Sequence, residues 1–289
     1  MPKRTDTLIA GQYFLAVEGL ALIRTTLRNP SVGRARVEEI RGIIEGFGEF
    51  PNSLEIPMTE YDVDDGYTAW APRYDGPNPA IEAEEPIVHA LLADAPPGIA
   101  LDAACGTGRH AAHLAGLGYD VIGVDGNEAM LAVAREKVPG GDFRRGRLDA
   151  LPVDDASVDV LTCALALTHV EDLGPVIAEF GRVLRPGGHA VLSDIHPFAT
   201  MTGSIAGFPE GQVTGGLPFV VNLTHRVSDY ISAFTAARLS ILSCVEPSVD
   251  DDLLKVFPSY AVLPDATRDA FLGTPYLLIW QLCTSPTST

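Results

Sequence analysis

Apolar residues recur at helical spacing from Asp6 to Arg28, at Leu8, Ile9, Phe14, Val17, Leu20, Ala21, Ile23 and Leu27. Thr5 or Asp6 can cap the start of this helix, and Asn29-Pro30 ends it. Ser31 can cap a second helix, with Val37, Ile40, Ile44 and Phe47 on one face and Gly46 and Gly48 closing it before Pro51. The pattern predicts an N-terminal helical extension over 1–58, ahead of a larger domain over 59–289. Glu55 to Pro72 is polar, acidic and bounded by proline, and Ile81 to Ala93 reads as the first helix of the domain. From there the period shortens. Apolar runs beginning at Ile99, Asp120–Asp125, Val158–Leu165 and His189–Asp194 read as strands, with helical stretches such as Glu128–Lys137 between them. Phe198 to Pro218 is glycine-rich without strong periodicity and reads as an insertion or lid, about 197–225 in extent. Phe219–Leu223 is a short extended piece, Arg226–Ala237 a helix, and Leu239–Val245 and Pro275–Cys283 the last strands. Strands alternating with helices imply an α/β fold, a doubly wound and mostly parallel seven-stranded sheet with the lid after strand five.

The stretch Ile99-Ala100-Leu101-Asp102-Ala103-Ala104-Cys105-Gly106-Thr107-Gly108-Arg109-His110 runs from an apolar strand through an acid and a tight glycine turn into an alanine-rich helix. Gly106 and Gly108 allow a sharp turn and close approach of a ligand to the main chain. Gly106-x-Gly108-x-x-Ala111 fits the dinucleotide fingerprint. Asp102 at the strand end argues against a pyrophosphate, which a carboxylate there repels, and for a cationic, phosphate-free ligand. Twenty-three residues after Asp102, the run Asp120–Asp125 ends in an acid where a ribose diol is expected to bind, with Gly126 next to it.

The glycine turn resembles motif I of the class I S-adenosylmethionine-dependent methyltransferases, D/E-x-x-C/P-G-x-G. Other stretches resemble the same family. Tyr67-Thr68-Ala69-Trp70-Ala71-Pro72-Arg73-Tyr74-Asp75 is similar to the Y-x-x-W/I-A-x-x-Y-D run of small-molecule methyltransferases, and Glu179–Gly188 is similar to E-x-x-R-V-L-R/K-P-G-G. Arg147-Leu148-Asp149-Ala150-Leu151-Pro152 resembles the third cofactor motif, and Ala166–Val170 the loop after strand four. The resemblance spans roughly Tyr61 to Cys283 and is nearest the ubiquinone-biosynthesis and natural-product branch. It implies a Rossmann-like sheet and S-adenosylmethionine as cofactor. It implies cofactor contacts at Tyr67, Tyr74, Asp102, Ala103, Gly106, Gly108, Asp125, Gly126, Leu148, Asp149, Ala150, Ala164 and Leu165. In it, Tyr67 and Tyr74 close over the methionine end and Asp149 pairs with the adenine amino group. The activity it implies is methylation of an O, C or N atom of a small aromatic or polycyclic metabolite. The apolar lid residues Phe198, Met201, Phe208 and Phe219 are in keeping with such an acceptor. An NAD(P)-dependent oxidoreductase on a similar sheet, or a non-methylating protein of the same fold, are the alternative readings.

If the acceptor must lose a proton, histidine is the natural base, its ordinary pKa being about 6.5. His169 follows strand four, His196 follows strand five and His225 ends the lid segment, so these three are the catalytic candidates. His89, His110, His113 and His189 read as structural. No G-x-S-x-G, H-E-x-x-H or G-x-x-x-x-G-K-S/T occurs, which argues against hydrolase, zincin and P-loop chemistry.

The formal net charge of -18 argues against a nucleic-acid partner, since phosphates require a basic footprint. Four scattered cysteines (Cys105, Cys163, Cys244, Cys283) read as small buried hydrophobes, with no metal site among them. Lys3 and Arg4 lead into a helix with internal charges, so no signal peptide is expected, and no uncharged apolar run reaches the roughly 20 residues of a membrane span. A soluble cytoplasmic protein without a membrane partner is the expectation. The N-terminal hairpin is expected to serve as a packing extension or a homodimer contact, or else as a cover over the active site.

Overall fold

The apolar runs become strands and the amphipathic stretches helices in a computed structural model that describes residues 2–93, 98–208 and 216–285. The chain forms two compact units. The first gathers Met1–Tyr61, Ala206–Val220 and Ser248–Pro275, the second Asp62–Ile205, Val221–Pro247 and Tyr276–Thr289. The chain therefore leaves the first unit close to the expected boundary at 58/59, but returns to it twice.

The first unit opens with strand β1 (Arg4–Ile9), helices α1 (Ala10–Thr25) and α2 (Pro30–Glu45), and strand β2 (Glu55–Tyr61). Here the helical expectation for the first residues fails. Arg4–Ile9 is extended and pairs antiparallel with β2, from Arg4 opposite Glu60 to Ile9 opposite Glu55. Thr5, Thr7 and Ile9 are β-branched and suit a pleated surface. The α2 cap is Asn29, whose side chain accepts from Val32 N–H, rather than Ser31.

The second unit starts at α3 (Val63–Trp70), capped by Asp62, and α4 (Pro79–Leu92), capped by Asn78. Strands and helices then alternate: β3 (Ile99–Ala103), α5 (Arg109–Gly116), β4 (Asp120–Asp125), α6 (Glu128–Lys137), β5 (Asp142–Arg145), β6 (Val158–Ala164), α7 (Leu173–Val183), β7 (Leu184–Ile195) and the short α8 (Pro197–Met201). The expected lid divides at this point. Its stretch Ala206–Val220 belongs to the first unit, with strands β8 (Ile205–Gly207) and β9 (Leu217–Val221), while 209–215 lie outside the described residues. The run from Leu217 to Val220 pairs parallel with β2, completing a four-stranded sheet of order β1-β2-β9-β8. The second unit resumes with α9 (Val227–Ala236) and β10 (Leu239–Val245), α10 (Pro264–Phe271) joins the first, and β11 (Leu277–Thr284) ends the second.

The large sheet has the order β10-β11-β7-β6-β3-β4-β5. β5, β4, β3, β6 and β7 run parallel, and β11 lies antiparallel between β7 and β10. Both faces are covered, as parallel sheets require. Leu101, Leu161 and Leu192 pack with Ile177, Phe180 and Phe234 on one side. Their strand neighbours Ala100, Val160 and Val191 pack with Leu92, Leu114 and Leu131 on the other. The chain leaves β3 through β4 and β5 and comes back to β6 on its other side. Ligands bind open α/β sheets at such a reversal, outside the carboxyl ends of the strands. All four cysteines are free; Cys105 and Cys163 are buried as expected, but Cys244, on edge strand β10, is exposed. Among the described residues, no helix is long and apolar enough to cross a membrane, and no cluster of His, Cys, Asp and Glu could hold a metal ion.

Candidate cofactor and active site

A cavity of about 620 Å³ opens within the second unit at this reversal. Its floor is the glycine turn after β3 (Ala104, Gly106) and the tips of β4 (Val124, Asp125, Gly126) and β6 (Ala164, Leu165). One wall is α3 with Val63, Asp64 and Tyr67, joined by Tyr74. Another is the stretch after β5, Arg145 to Asp149, and the loop after β6 adds His169 to Asp172.

The turn is built from left-handed backbone. Gly106 has φ 54° and Gly108 φ 81°, and Ala104 (φ 56°) and Leu165 (φ 53°) adopt the same region without being glycine. Non-glycine residues held there store strain, which clusters at functional sites. A Cβ built on Gly106 meets only the Tyr74 ring, at 3.9 Å, so the missing side chain leaves open space between turn and ring.

Asp125 is fixed at the tip of β4. Its Oδ2 accepts from Gly106 N–H at 2.8 Å and its Oδ1 from Asn127 N–H at 2.8 Å. Burial raises its pKa against those donors. A carboxylate has about four lone-pair sites, so Asp125 keeps acceptor capacity for a diol beside these backbone donors and Gly126. Asn127 also caps α6 through Met130 N–H, and its Nδ2 lies 2.8 Å from Asp64 Oδ1 and 2.7 Å from Thr68 Oγ1, tying α3 to the cavity rim. Asp149 is gripped by the Arg147 guanidinium at 2.8 and 2.6 Å, and that hydrogen bond holds its carboxyl below the ordinary range.

The cavity wall carries Tyr67, Tyr74, Gly106, Asp125, Gly126, Leu148, Asp149, Ala164, Leu165 and His169 of the residues singled out in the sequence. It does not include Asp102, Ala103, Gly108 or Ala150. Asp102 lies behind this wall. It is buried, and its Oδ2 accepts from Ala111 N–H at 2.9 Å, so it braces the first turn of α5. Burial pushes it up to about 6. Ala103 is fully buried in β3, Gly108 is the N-cap of α5, and Ala150 is exposed beyond the wall.

The three candidate histidines separate in the same way. His196 caps α8, its Nδ1 accepting from Phe198 N–H at 3.0 Å while Nε2 meets Glu246 at 2.9 Å. His225 Nε2 donates to the Val170 carbonyl at 2.7 Å. Neither is on the cavity wall. His169 is, with Nε2 2.7 Å from the Tyr67 hydroxyl and Nδ1 3.3 Å from the Val221 carbonyl. Burial lowers its pKa to about 4, so the ring is neutral at neutral pH. The preceding residue is anchored from below, Thr168 N–H donating to buried Asp194 at 2.7 Å. Sequence reading missed Asp64, Asn127, Arg147 and Glu171. Asn127 before a helical run and Arg147 two residues from Asp149 were visible signals; Asp64 carried none.

The donor set favours a cationic ligand. Five carboxylates line the cavity (Asp64, Asp125, Asp149, Glu171, Asp172) against two guanidiniums. Both guanidiniums are engaged within the protein, Arg147 on Asp149 and Arg145 on the Gly126 carbonyl. A pyrophosphate would meet fixed negative charge, whereas a sulfonium and an ammonium are attracted.

Comparison with known proteins agrees. Residues 101–192 match the family model described as a methyltransferase domain. The chain is 39% identical over 97 residues to a malonyl-[acyl-carrier protein] O-methyltransferase of Yersinia pestis, a match covering 34% of this chain and 36% of that protein. It is 33% identical over 133 residues to a demethylmenaquinone methyltransferase of Renibacterium salmoninarum, covering 44% of this chain and 56% of the relative. The chain thus spans about a third to a half of the length of these relatives. A crystal structure of an S-adenosylmethionine-dependent methyltransferase from Mesorhizobium loti superposes with a TM-score of 0.55 at 25% identity, covering 70% of this chain and 97% of that one. Residues 101–192 of the second unit thus match a methyltransferase domain, on a fold shared with a solved S-adenosylmethionine-dependent methyltransferase.

Proposed function

We propose that the protein methylates a small, aromatic or polycyclic metabolite on an O, C or N atom, with S-adenosylmethionine as donor. The observation that carries this reading is the acid-lined cavity at the β3/β6 reversal, whose guanidiniums are already paired. When bound, S-adenosylmethionine supplies a methyl carbon made electrophilic by its sulfonium; the acceptor's electron pair forms the new bond and the carbon–sulfur pair stays on sulfur. Asp125 would hold the ribose hydroxyls, Asp149 the adenine amino group, and Gly106 with the rings of Tyr67 and Tyr74 the methionine end. Leu148, Ala164 and Leu165 supply apolar contact to the adenosine. His169 is the assigned proton acceptor. Holding acceptor and methyl donor together and excluding water is the rest of the catalytic task.

The relatives' names include an enzyme acting on demethylmenaquinone, which is consistent with an aromatic acceptor here. Homodimerisation through the N-terminal helices belongs to the same reading: Ile23, Leu27 and Ile44 of that segment are exposed, and sedimentation equilibrium measures the association. The functional test is calorimetric titration with S-adenosylmethionine and with NAD, followed by a methylation screen of aromatic acceptors read by mass gain. S-adenosylmethionine is expected to bind and NAD not to. The reverse result sinks the reading.

A further inference from the structure

A carbonyl oxygen only accepts hydrogen bonds, so the His169 Nδ1 facing the Val221 carbonyl carries the ring proton. Nε2 is then the acceptor nitrogen, and at 2.7 Å its lone pair is taken by the Tyr67 hydroxyl. The nitrogen that would serve as base is therefore already capped. Both residues line the cavity, and the Tyr67 oxygen, unlike His169 Nε2, keeps lone pairs of its own. Tyr67 is held in this position by its ring neighbours. Its ring stacks on Trp70 with centroids 5.8 Å apart and meets the His169 ring edge-on at 5.4 Å. The His169 side is equally fixed: Thr168 N–H is bound to Asp194, and His169 N–H donates to the Ala166 carbonyl at 3.0 Å.

Resting on the methyl-transfer reading, we infer that Tyr67 is a catalytic residue that relays the proton: its oxygen takes the acceptor's proton as its own proton passes to His169 Nε2. The balance is simple. The acceptor's bond to hydrogen breaks and leaves its electron pair for the new bond to carbon. Tyr67 begins and ends neutral, and His169 ends as an imidazolium whose Nδ1–H still donates to Val221. That proton leaves to solvent before the next turnover. Burial raises the Tyr67 hydroxyl well above its ordinary range, so it does not ionise alone and the two transfers must be coupled. A relay also gives Tyr67 a task beyond lining the cofactor's site, one that a phenylalanine cannot perform.

The direct and relayed routes differ in one substitution. If His169 acted directly, Tyr67→Phe would uncap the base and keep or raise the rate. If Tyr67 relays, the same change lowers turnover by about 10²–10⁴-fold, the range for losing general base catalysis. The first measurement needs no donor or acceptor. Long-range proton–nitrogen NMR of the ligand-free protein, with His169 assigned from His169→Gln, should place the ring proton on Nδ1. Tyr67→Phe should then shift only the Nε2 resonance. A proton on Nε2 in the unsubstituted protein overturns the relay. The second measurement is single-turnover methylation of 2-naphthol by the protein, Tyr67→Phe, His169→Gln and the double variant, with S-adenosylmethionine affinity measured alongside. The expected result is an equal loss in both single variants, no further loss in the double, and little change in affinity. Undiminished methylation by Tyr67→Phe refutes the relay. If the unsubstituted protein binds no S-adenosylmethionine or leaves 2-naphthol untouched, the failure falls on the methyl-transfer reading, and the NMR result still decides the hydrogen-bonded pair.

Discussion

Asp125 and Asp149 are both acids on the cavity wall, yet their carboxylates are in different states. Asp125 accepts only backbone N–H groups and keeps acceptor capacity for a ligand, whereas Asp149 is already forked by Arg147. Binding a diol gains charge-assisted hydrogen bonds at Asp125 that need no internal contact to break. At Asp149 an adenine amino group must displace or share the guanidinium. Asp125→Asn is therefore expected to weaken S-adenosylmethionine binding by about 1–3 kcal/mol, the worth of hydrogen bonds to a charged group. Asp149→Ala should cost clearly less. Calorimetry on the two variants ranks them, and an equal or inverted order would remove Asp125 from its assigned role. The histidines make a similar point about single residues. His169, His196 and His225 are alike in the sequence, each in a loop past a strand. Their local partners separate them: a helix N–H and Glu246 for His196, a carbonyl for His225, a tyrosine hydroxyl for His169.

At the scale of elements, the turn between β3 and α5 gives two glycines different tasks. Both have left-handed backbone, which costs an L-residue about 1–2 kcal/mol. A Cβ on Gly108 would in addition sit 3.1 Å from the Ala134 Cβ and 3.3 Å from its Cα, on helix α6, where little can give way. On Gly106 it would enter open space beside Tyr74. Gly108→Ala should thus mainly lower the melting temperature, and Gly106→Ala should mainly lower cofactor affinity; a melt and a titration on each variant test the split. This turn was legible because its information is local: an acid, two glycines and an alanine-rich helix within twelve residues. The run Asp120–Asp125 was legible for the same reason. The place of Asp102 in the chain was legible; its partner was not. The sequence does not say whether a buried acid at a strand end faces a ligand or ties down the next helix, and here Ala111 N–H takes it. β1 was misread because apolar positions fit a helix locally, while its extended form depends on β2, which lies beyond two helices. The Tyr67–His169 contact joins residues 102 positions apart, and no spacing rule reaches that far.

At the scale of the whole molecule, buried acids should make stability depend on pH in an unusual direction for so acidic a chain. Burial raises Glu18 to about 8, Asp194 to about 7 and Asp102 to about 6. For each, the folded state binds the proton more tightly than the unfolded state. Their stabilisation is complete below the ordinary carboxylate range and is lost as pH rises toward those values. Each such group contributes about 1.4 kcal/mol per pH unit over its window. Self-repulsion of a net charge of -18 acts in the same direction. Glu84 works oppositely. Burial alone would raise it, but His110 and Arg109, with hydrogen bonds at 3.2 and 2.6 Å, hold it down at about 2. Its contribution is present above pH 4.5 and lost as pH falls from there toward 2. His89, lowered to about 4 by burial and by charge repulsion from His113, whose ring lies 3.5 Å away, adds to that acid limb from pH 6.5 downward. His169, lowered to about 4, and His113, also lowered by burial, act with His89, so the three histidines roughly offset the three acids between about pH 4.5 and 6.5, and above that the acids act alone. The melting temperature should therefore peak at about pH 5–6 and fall toward pH 8. Calorimetric scans from pH 4 to 9 test this, with Glu18→Gln and Asp194→Asn expected to flatten the alkaline fall and Glu84→Gln to flatten the acid one. A melting temperature that climbs steadily to pH 8, with the first two variants following the unsubstituted protein, would show that these carboxyls are ionised in the fold.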